Sequence, residues 1–319
     1  MNYGEEGNDY DPEIIRAEIV EEGEMEPGAP WEWREVRPVP RQRRVRLPVL
    51  LFIATCLSTW VAGAISSSES GWLAALVDGL WYAVPVMTIL LCHEMGHFIQ
   101  AYRYGVYASL PYFIPMPFSP LGTFGAVIAM EPRMGHRKAL FDIGISGPLA
   151  GLVPTFIFLI VGLHRSTFGN PAHGNWPFGS SLLFSFFTDW IVGQPPVHQT
   201  ILYDQMAFAG WVGLLITSLN LIPIGQLDGG HVLYALLRRK ANKVASFLLL
   251  LAVFLVALNF RELGSWIPML LLVYFVVGTR HPPTADDDEP LGLFRIVLGW
   301  LMLAFIVVGF TPTPLRSIP

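Results

Sequence analysis

The stretch that decides the fold is LWYAVPVMTILLCHEMGHFIQA, which occupies residues 80–101. As a helix rising about 1.5 Å per residue, it is long enough to cross a hydrocarbon core of about 30 Å. Its second half nevertheless contains His93, Glu94 and His97. Such side chains are costly inside a membrane unless they are paired or bound to a metal. The stretch therefore predicts a transmembrane helix that carries a buried polar site.

The rest of the chain has the composition of a membrane protein. Of its 319 residues, 53% are hydrophobic and 14% are charged, and the mean hydropathy is +0.48. We predict an all-α polytopic membrane protein with about six to seven transmembrane helices, in contact with the lipid bilayer and without a nucleic-acid partner. The candidate spans lie near residues 47–65, 80–101, 140–163, 206–223, 244–258, 265–277 and 291–310. The fifth and sixth are short, so they form either a spanning hairpin or a re-entrant pair.

The amino-terminal segment differs in composition from the rest. Residues 1–26 contain ten acidic residues and a single basic one, Arg16. Segments with this charge balance and few apolar residues do not form a core. We predict an acidic, disordered cytoplasmic tail over residues 1–46, basic next to the first span, and a membrane domain over residues 47–319.

Basic residues next to the spans predict the orientation of the chain, because Lys and Arg resist translocation. Three basic residues, Arg165, Arg261 and Arg316, fall on the predicted outer side. We therefore place the amino terminus in the cytoplasm, with a bacterial plasma membrane as the expected location. The basic residues of the predicted inner side are Arg34, Arg37, Arg41, Arg43, Arg44, Arg46, Arg103, Arg133, Arg137, Lys138, Arg238, Arg239, Lys240, Lys243 and Arg280.

The polar residues of the second span form the H-E-x-x-H pattern. His93 and His97 are four positions apart, so on a helix they lie about 40° from one another and can bind one metal ion. Glu94 is close to that face without being a natural ligand. It can hold and deprotonate a water molecule at the metal.

A catalytic zinc ion needs a third protein ligand and an open position. Asp228 is the best candidate, because spans two and four run in the same direction and their inner ends reach similar depths. The alternative for Asp228 is a turn aspartate before Gly229 and Gly230. His231 competes for the third-ligand position, but we interpret it as a packing or outer-shell residue.

Two further segments flank this site. Residues 111–126 are too rich in proline to span as a helix, so we expect a re-entrant loop or β-hairpin beside the site, and an exposed strand there could pair with an unwound substrate. A purely structural hairpin is the alternative. In the third span, glycines at 144, 147 and 151 allow a close approach of helices, and Asp142 could cap that helix. We expect residues 281–289 to form a solvated turn.

The two motifs together resemble those of the site-2 protease family of intramembrane metalloproteases. That family pairs an H-E-x-x-H helix with a distant N-x-x-P-x-x-x-L-D-G segment. The match to the second motif consists of Asn220, Pro223, Leu227, Asp228 and Gly229, about 130 residues after the first. The resemblance covers residues 80–235, the expected catalytic core, and is greatest to members without a PDZ domain.

The resemblance implies the chemistry of the site. Zinc, one ion per chain, would be bound by His93, His97 and Asp228, with Glu94 as the general base. Asn220 would lie near the carbonyl or oxyanion of the substrate. The substrate would be a membrane protein with a transmembrane segment, cut by regulated intramembrane proteolysis.

The G-T-F-G turn also resembles the family's substrate-binding hairpin. This resemblance implies that Gly122, Phe124 and Gly125 bind substrate. No stretch is long and polar enough for a PDZ domain, and no CBS pair follows the last span. The oligomeric state is not predicted.

Two other classes of function compete with the enzyme. The main alternative is a non-proteolytic metal-binding or transport protein that uses the same ligands. Transport favours polar residues distributed over several spans, whereas intramembrane acids are few here. The other is a proteolytically silent scaffold that binds helices. A scaffold has no use for Glu94, which is not a ligand, so the glutamate favours the enzyme.

Overall fold

The computed structural model describes residues 45–67, 71–130, 136–170, 178–284 and 286–314. The predicted acidic tail therefore lies outside the described residues, except for its last two positions, Val45 and Arg46. Its disorder and its cytoplasmic location stay predictions.

Helices account for most of the described chain, as the sequence predicted, and two short antiparallel strand pairs join them. The helices are α1 (Arg46–Ile65), α2 (Trp72–Arg103), α3 (Arg137–Arg165), α4 (Leu182–Ile191), α5 (Gln205–Asn220), α6 (Asp228–Leu237), α7 (Lys240–Leu258), α8 (Phe260–Leu263), α9 (Ile267–Leu272) and α10 (Leu293–Gly309). The strands are β1 (Tyr112–Met116), β2 (Gly122–Val127), β3 (Thr167–Gly169) and β4 (Thr200–Leu202). Pairing joins β1 to β2 and β3 to β4.

Four of the described helices are long and apolar enough to cross a membrane, namely α1, α2, α3 and α7. The helices α5, with 16 residues, and α10, with 17, are shorter. The predicted sixth span is an irregular run made of a 3₁₀ turn, α9 and a π-helical turn. The chain is thus a helical membrane protein with several apolar helices, whereas the count of six to seven spans stays a prediction.

The segment after α2 is a β-hairpin, the second of the two forms that the sequence allowed. Its tip packs against the spans, because the Ser58 hydroxyl donates to the carbonyl of Gly122 at 2.6 Å and the Tyr82 hydroxyl donates to the carbonyl of Leu121 at 2.7 Å. Tyr82 precedes His93 on α2 by about 16 Å of helix rise. The tip of the hairpin therefore lies deep among the helices.

Polar contacts join the helix ends in two groups, in agreement with the alternating threading. At the predicted outer ends, Arg165 of α3 pairs with Asp204 at 2.9 Å, and the Gln205 amide lies 3.3 Å from Asp78 of α2. At the predicted inner ends, the guanidinium of Arg137 donates to the carbonyl of Leu236 at 3.1 Å. These contacts join neighbouring helices at each of the two ends.

The role predicted for Asp142 is wrong. The helix α3 begins at Arg137, so Asp142 lies inside it, and the side chain of His136 caps the helix by accepting from the N–H of Ala139 at 3.3 Å. Asp142 instead receives two hydrogen bonds of 2.8 Å from Arg295 of α10. This contact joins two helices that are distant in sequence, so a search for local helix signals could not find it.

The interpretation of residues 281–289 as a solvated turn is also wrong for part of the described segment. His281 is buried, Lys138 pairs with Glu289, and the Tyr234 hydroxyl donates to Asp287 at 3.0 Å. Pro283, Asp286 and Asp288 are exposed as expected, and the side chain of Asp288 is 92% exposed. The segment folds back because α3 and α6 present complementary polar groups to it.

Candidate metal centre

The H-E-x-x-H residues lie on the second half of α2, inside a helix that is apolar enough to span a membrane. His93 is 3% exposed, Glu94 3% and His97 4%. Because His93 and His97 are one helical turn apart, both imidazoles point to the same side, with ring centroids 5.0 Å apart. The helix α2 alone therefore places two possible metal ligands side by side.

A break between α5 and α6 supplies a third possible ligand. Gly225 has a φ of 58°, which L-residues with side chains rarely adopt. A methyl group at Gly229 would lie 1.8 Å from the carbonyl oxygen of Leu221, so only glycine permits the chain to fold back this tightly. The turn places Asp228 at the first position of α6, facing α2.

Three side chains converge on one point in this arrangement. The Nε2 of His93 lies 3.1 Å from Oδ2 of Asp228, and the Nε2 of His97 lies 3.2 Å from Oδ1. The two Nε2 atoms are 3.2 Å apart. Among the described residues, this trio is a group that could hold a metal ion.

A hydrogen bond to the backbone defines the tautomer of His97. Its Nδ1 lies 2.7 Å from the carbonyl oxygen of Ile143. A carbonyl can only accept, so Nδ1 carries the hydrogen and the lone pair of neutral His97 is on Nε2, towards His93 and Asp228. Metal-binding histidines are commonly oriented in this way by a partner on the other ring nitrogen.

The donor set fits zinc. Tetrahedral zinc bound at about 2.0–2.1 Å by nitrogen and oxygen ligands keeps the ligand atoms about 3.3 Å apart. The three distances of 3.1, 3.2 and 3.2 Å agree with that spacing. Two imidazoles and one carboxylate also leave a fourth position for water or substrate, as in catalytic zinc sites.

The glycines of α3 leave the space that the site occupies. A methyl group at Gly147 would lie 2.0 Å from Nε2 of His97, and one at Gly151 would lie 3.1 Å from Cβ of His93. A methyl group at Gly144 would lie 2.8 Å from Cβ of His231 on α6. The predicted close approach of α3 to its neighbours therefore occurs. The space beside its glycines is filled by the side chains of His93, His97 and His231.

Two more of the predicted site residues lie next to the trio. The carboxylate of Glu94 is close enough to His93, His97 and Asp228 to interact electrostatically with all three. The side-chain amide nitrogen of Asn220, the last residue of α5, lies 3.2 Å from Nε2 of His93.

The other predicted substrate-binding residues, Gly122, Phe124 and Gly125, lie on the hairpin and not next to the trio. The carbonyl of Gly122 already accepts from Ser58 of α1. Phe124 is 48% exposed, and Gly125 has a φ of 97° with open space beside it. The described contacts link these residues to α1 and to β1, so their role in binding substrate stays a prediction.

Sequence analysis missed two parts of the surroundings. The carbonyl of Ile143 has no side-chain signal, because any residue would present it. The ring of His281, which lies 2.7 Å from that of His231, belongs to a loop about 50 residues further along the chain. That pairing also occupies the histidine that competed with Asp228 for the third-ligand position.

The fold and the site together define a class of protein, the membrane metallopeptidases, which hold an H-E-x-x-H helix and a distant acid around one point. The chain belongs to Peptidase family M50, whose family model matches residues 81–259, more than half of the sequence. The predicted resemblance to the site-2 proteases, which are zinc enzymes, is thus confirmed.

Curated relatives agree with this family. The chain is 32% identical over 258 residues to the probable zinc metalloprotease EGY1, chloroplastic, of Arabidopsis thaliana. The aligned region covers 78% of this chain and 46% of the relative. The chain is 30% identical to the rice protein of the same name, over 95% of this chain and 53% of the relative. The chain spans about half the length of these relatives. No solved structure matches it.

Replacing Gly147 by alanine tests the geometry of the centre. The added methyl group would collide with His97, which the bond to Ile143 prevents from moving freely, so we expect zinc affinity to fall by about 10–100-fold. Metal analysis of the purified protein and competition with a chelator measure this. Gly264→Ala is the matched control, since a methyl group there meets open space. Wild-type zinc affinity in Gly147→Ala would contradict the described position of His97.

Proposed function

We propose that this chain is an intramembrane zinc metallopeptidase that hydrolyses peptide bonds of transmembrane substrate proteins. One observation carries the proposal: His93, Glu94 and His97 are buried on α2, a helix long and apolar enough to span a membrane, and the partly buried Asp228 lies against them. A peptide must therefore come to the site within the bilayer or at its edge. Membership of Peptidase family M50 supports hydrolysis as the reaction.

In this proposal, His93, His97 and Asp228 would hold one zinc ion through Nε2, Nε2 and a carboxylate oxygen. When bound, zinc supplies Lewis acidity towards a water molecule and a peptide carbonyl. Asp228 also balances the charge of the ion, which lowers the cost of a divalent cation at membrane depth.

Glu94 is the proposed general base. It takes the proton from the attacking water and passes it to the leaving amine, so one carboxylate serves both halves of the hydrolysis. Its burial beside the trio keeps it within reach of the metal without making it a ligand. The Asn220 amide, next to His93, is placed to donate a hydrogen bond to the substrate carbonyl as negative charge develops on its oxygen.

A transmembrane helix satisfies its own backbone hydrogen bonds, so it must unwind before it can be cut. We propose that β2 pairs with the unwound segment. The described sheet has two strands, and β2 uses only one edge for β1. Gly122, Phe124 and Gly125 belong to this strand, and strand addition would replace the backbone partners that the substrate loses.

We further propose that the amino terminus is cytoplasmic and that the membrane is a bacterial plasma membrane. The surplus of Lys and Arg on one side supports this orientation. The grouping of the inner helix ends around Arg137 and of the outer ends around Arg165 agrees with it.

Glu94→Gln separates the peptidase from a protein that only binds or transports metal. The amide keeps the size of the side chain but is not a base, so we expect cleavage of a membrane-embedded test substrate to fall by about 10²–10⁴-fold. Zinc content should be unchanged, because Glu94 is not a proposed ligand. The measurements are single-turnover cleavage in liposomes and metal analysis.

Glu289→Gln, at the inner surface, serves as the matched control for this substitution. Cleavage by Glu94→Gln at the wild-type rate would exclude Glu94 as the base. If the wild-type protein binds zinc but cleaves none of a broad panel of transmembrane substrates, the metal-binding alternative should replace the peptidase.

Asp228→Ala tests the third ligand. Only His93 and His97 would then remain as ligands. Loss of an outer-shell partner typically lowers metal affinity by about 10–100-fold, and we expect loss of Asp228 to lower zinc affinity by more than that. Chelator competition on the folded protein measures the affinity, and Asp189→Ala, on the exposed side of α4, is the control. Unchanged zinc content in folded Asp228→Ala would remove Asp228 from the site.

The orientation is testable by cysteine labelling from each side of the membrane. In a background without Cys56 and Cys92, we expect Asp288→Cys to react only from the cytoplasmic side and Val197→Cys only from the outside. Both positions are highly exposed, so accessibility does not limit the reaction. Labelling of Asp288→Cys from outside would overturn the threading.

A further inference from the structure

A second buried histidine pair lies beside the metal centre. His231, one turn after Asp228 on α6, places its Nδ1 2.7 Å from Nε2 of His281 in the segment before α10. The two residues are 6% and 8% exposed. Neither belongs to the trio that could hold a metal ion, so the proposed reaction leaves the pair without a role.

The hydrogen bonds of the pair run in one direction. The Nδ1 of His281 lies 2.6 Å from the carbonyl oxygen of Pro282, which can only accept, so this Nδ1 carries the hydrogen. The Nε2 of neutral His281 is then an acceptor, and His231 donates to it through Nδ1. Burial lowers the pKa of both imidazoles, which keeps the pair neutral at pH 7.

Further contacts attach the same segment to α6 and α7. The ring of His281 stacks on Tyr234 with centroids 4.4 Å apart, and the Tyr234 hydroxyl donates to Asp287 at 3.0 Å. The backbone N–H of His281 donates to the side-chain oxygen of Asn242 on α7 at 2.9 Å. His281 thus contacts both helices.

The helix α6 depends on such contacts for its position. It has 10 residues, whereas isolated helices shorter than about 12–15 residues are marginal. Before it lies the irregular turn at Gly225, and at its end Arg137 of α3 donates to the carbonyls of Ala235 and Leu236. The position of Asp228, the first residue of α6, is therefore set by what holds the helix.

We propose that His281 is a positioning residue of the metal centre: by accepting the hydrogen bond of His231, it holds α6 so that Asp228 faces His93 and His97. This inference rests on the proposed role of Asp228 as a zinc ligand. The proposal gives the segment before α10 a function in the reaction, although His281 is not one of the proposed metal ligands. Loss of the hydrogen bond would also leave the N–H of His231 buried without its partner, which is costly.

Two substitutions separate the hydrogen bond from the ring contact. His281→Phe keeps a ring to stack on Tyr234 but cannot accept from His231, so we expect zinc affinity and kcat to fall by about 10-fold with KM unchanged. His281→Gln lacks the ring but offers an amide oxygen as acceptor, so we expect values close to those of the wild type. Asp288→Ala, in the same segment, is the control, because its exposed pair with Arg238 contributes little.

Zinc affinity is measured by chelator competition, and amide hydrogen exchange in α6 reports on its position in zinc-free protein. Faster exchange and weaker zinc binding in His281→Phe, restored in His281→Gln, would support the inference. Wild-type zinc affinity in folded His281→Phe would overturn it, as would the reverse order of the two variants, which would assign the effect to stacking. These readouts need no substrate, so they stand apart from the Glu94→Gln test of peptidase activity.

Discussion

The cost of placing ionisable side chains inside apolar helices is the constraint on which the rest of this structure depends. Two histidines and a glutamate on α2 must find partners within the protein, because the bilayer offers none. The structure supplies partners for the two histidines from three directions: the Ile143 carbonyl from α3, Asp228 from α6 and the Asn220 amide from the end of α5. The spacing of the three proposed ligand atoms fits a zinc ion.

The same constraint explains the irregular backbone on both sides of the centre. The turn between α5 and α6 and the hairpin between α2 and α3 both leave polar backbone groups outside regular helices. Glycines at positions 225 and 229 allow the turn to fold onto itself. Ser58 and Tyr82 donate to carbonyls at the tip of the hairpin. Irregular backbone is tolerated at membrane depth when protein surrounds it, and such segments can then serve a site.

The predicted inner ends of the helices form a polar layer next to the candidate metal centre. Arg137 donates to the last carbonyls of α6, Arg295 pairs with Asp142 of α3, and His281 stacks on Tyr234. The short helix that carries the proposed ligand Asp228 is therefore held by residues from other parts of the chain. We infer that the precision of the centre depends on this layer as well as on the ligands themselves.

The sequence alone predicted the class of fold, the hairpin and the residues of the trio. It could do so because hydrophobic length, the four-residue spacing of His93 and His97 and the break at Gly225 are local properties. The sequence also indicated that Asp228 should meet α2, since parallel spans bring their inner ends to one depth. The depth of the hairpin, however, depends on Ser58 and Tyr82, which gave no local signal.

Only the tertiary structure assigned the remaining partners. The position of Asp142 near a helix start predicts a cap, but Asp142 pairs with Arg295, about 150 residues away in the chain. The segment at His281 had the composition of a solvated turn, yet its ring is buried against Tyr234 and His231. The sequence determines which hydrogen bonds a side chain can make. Its partner depends on which elements pack together, and that packing depends on the shape of the whole bundle.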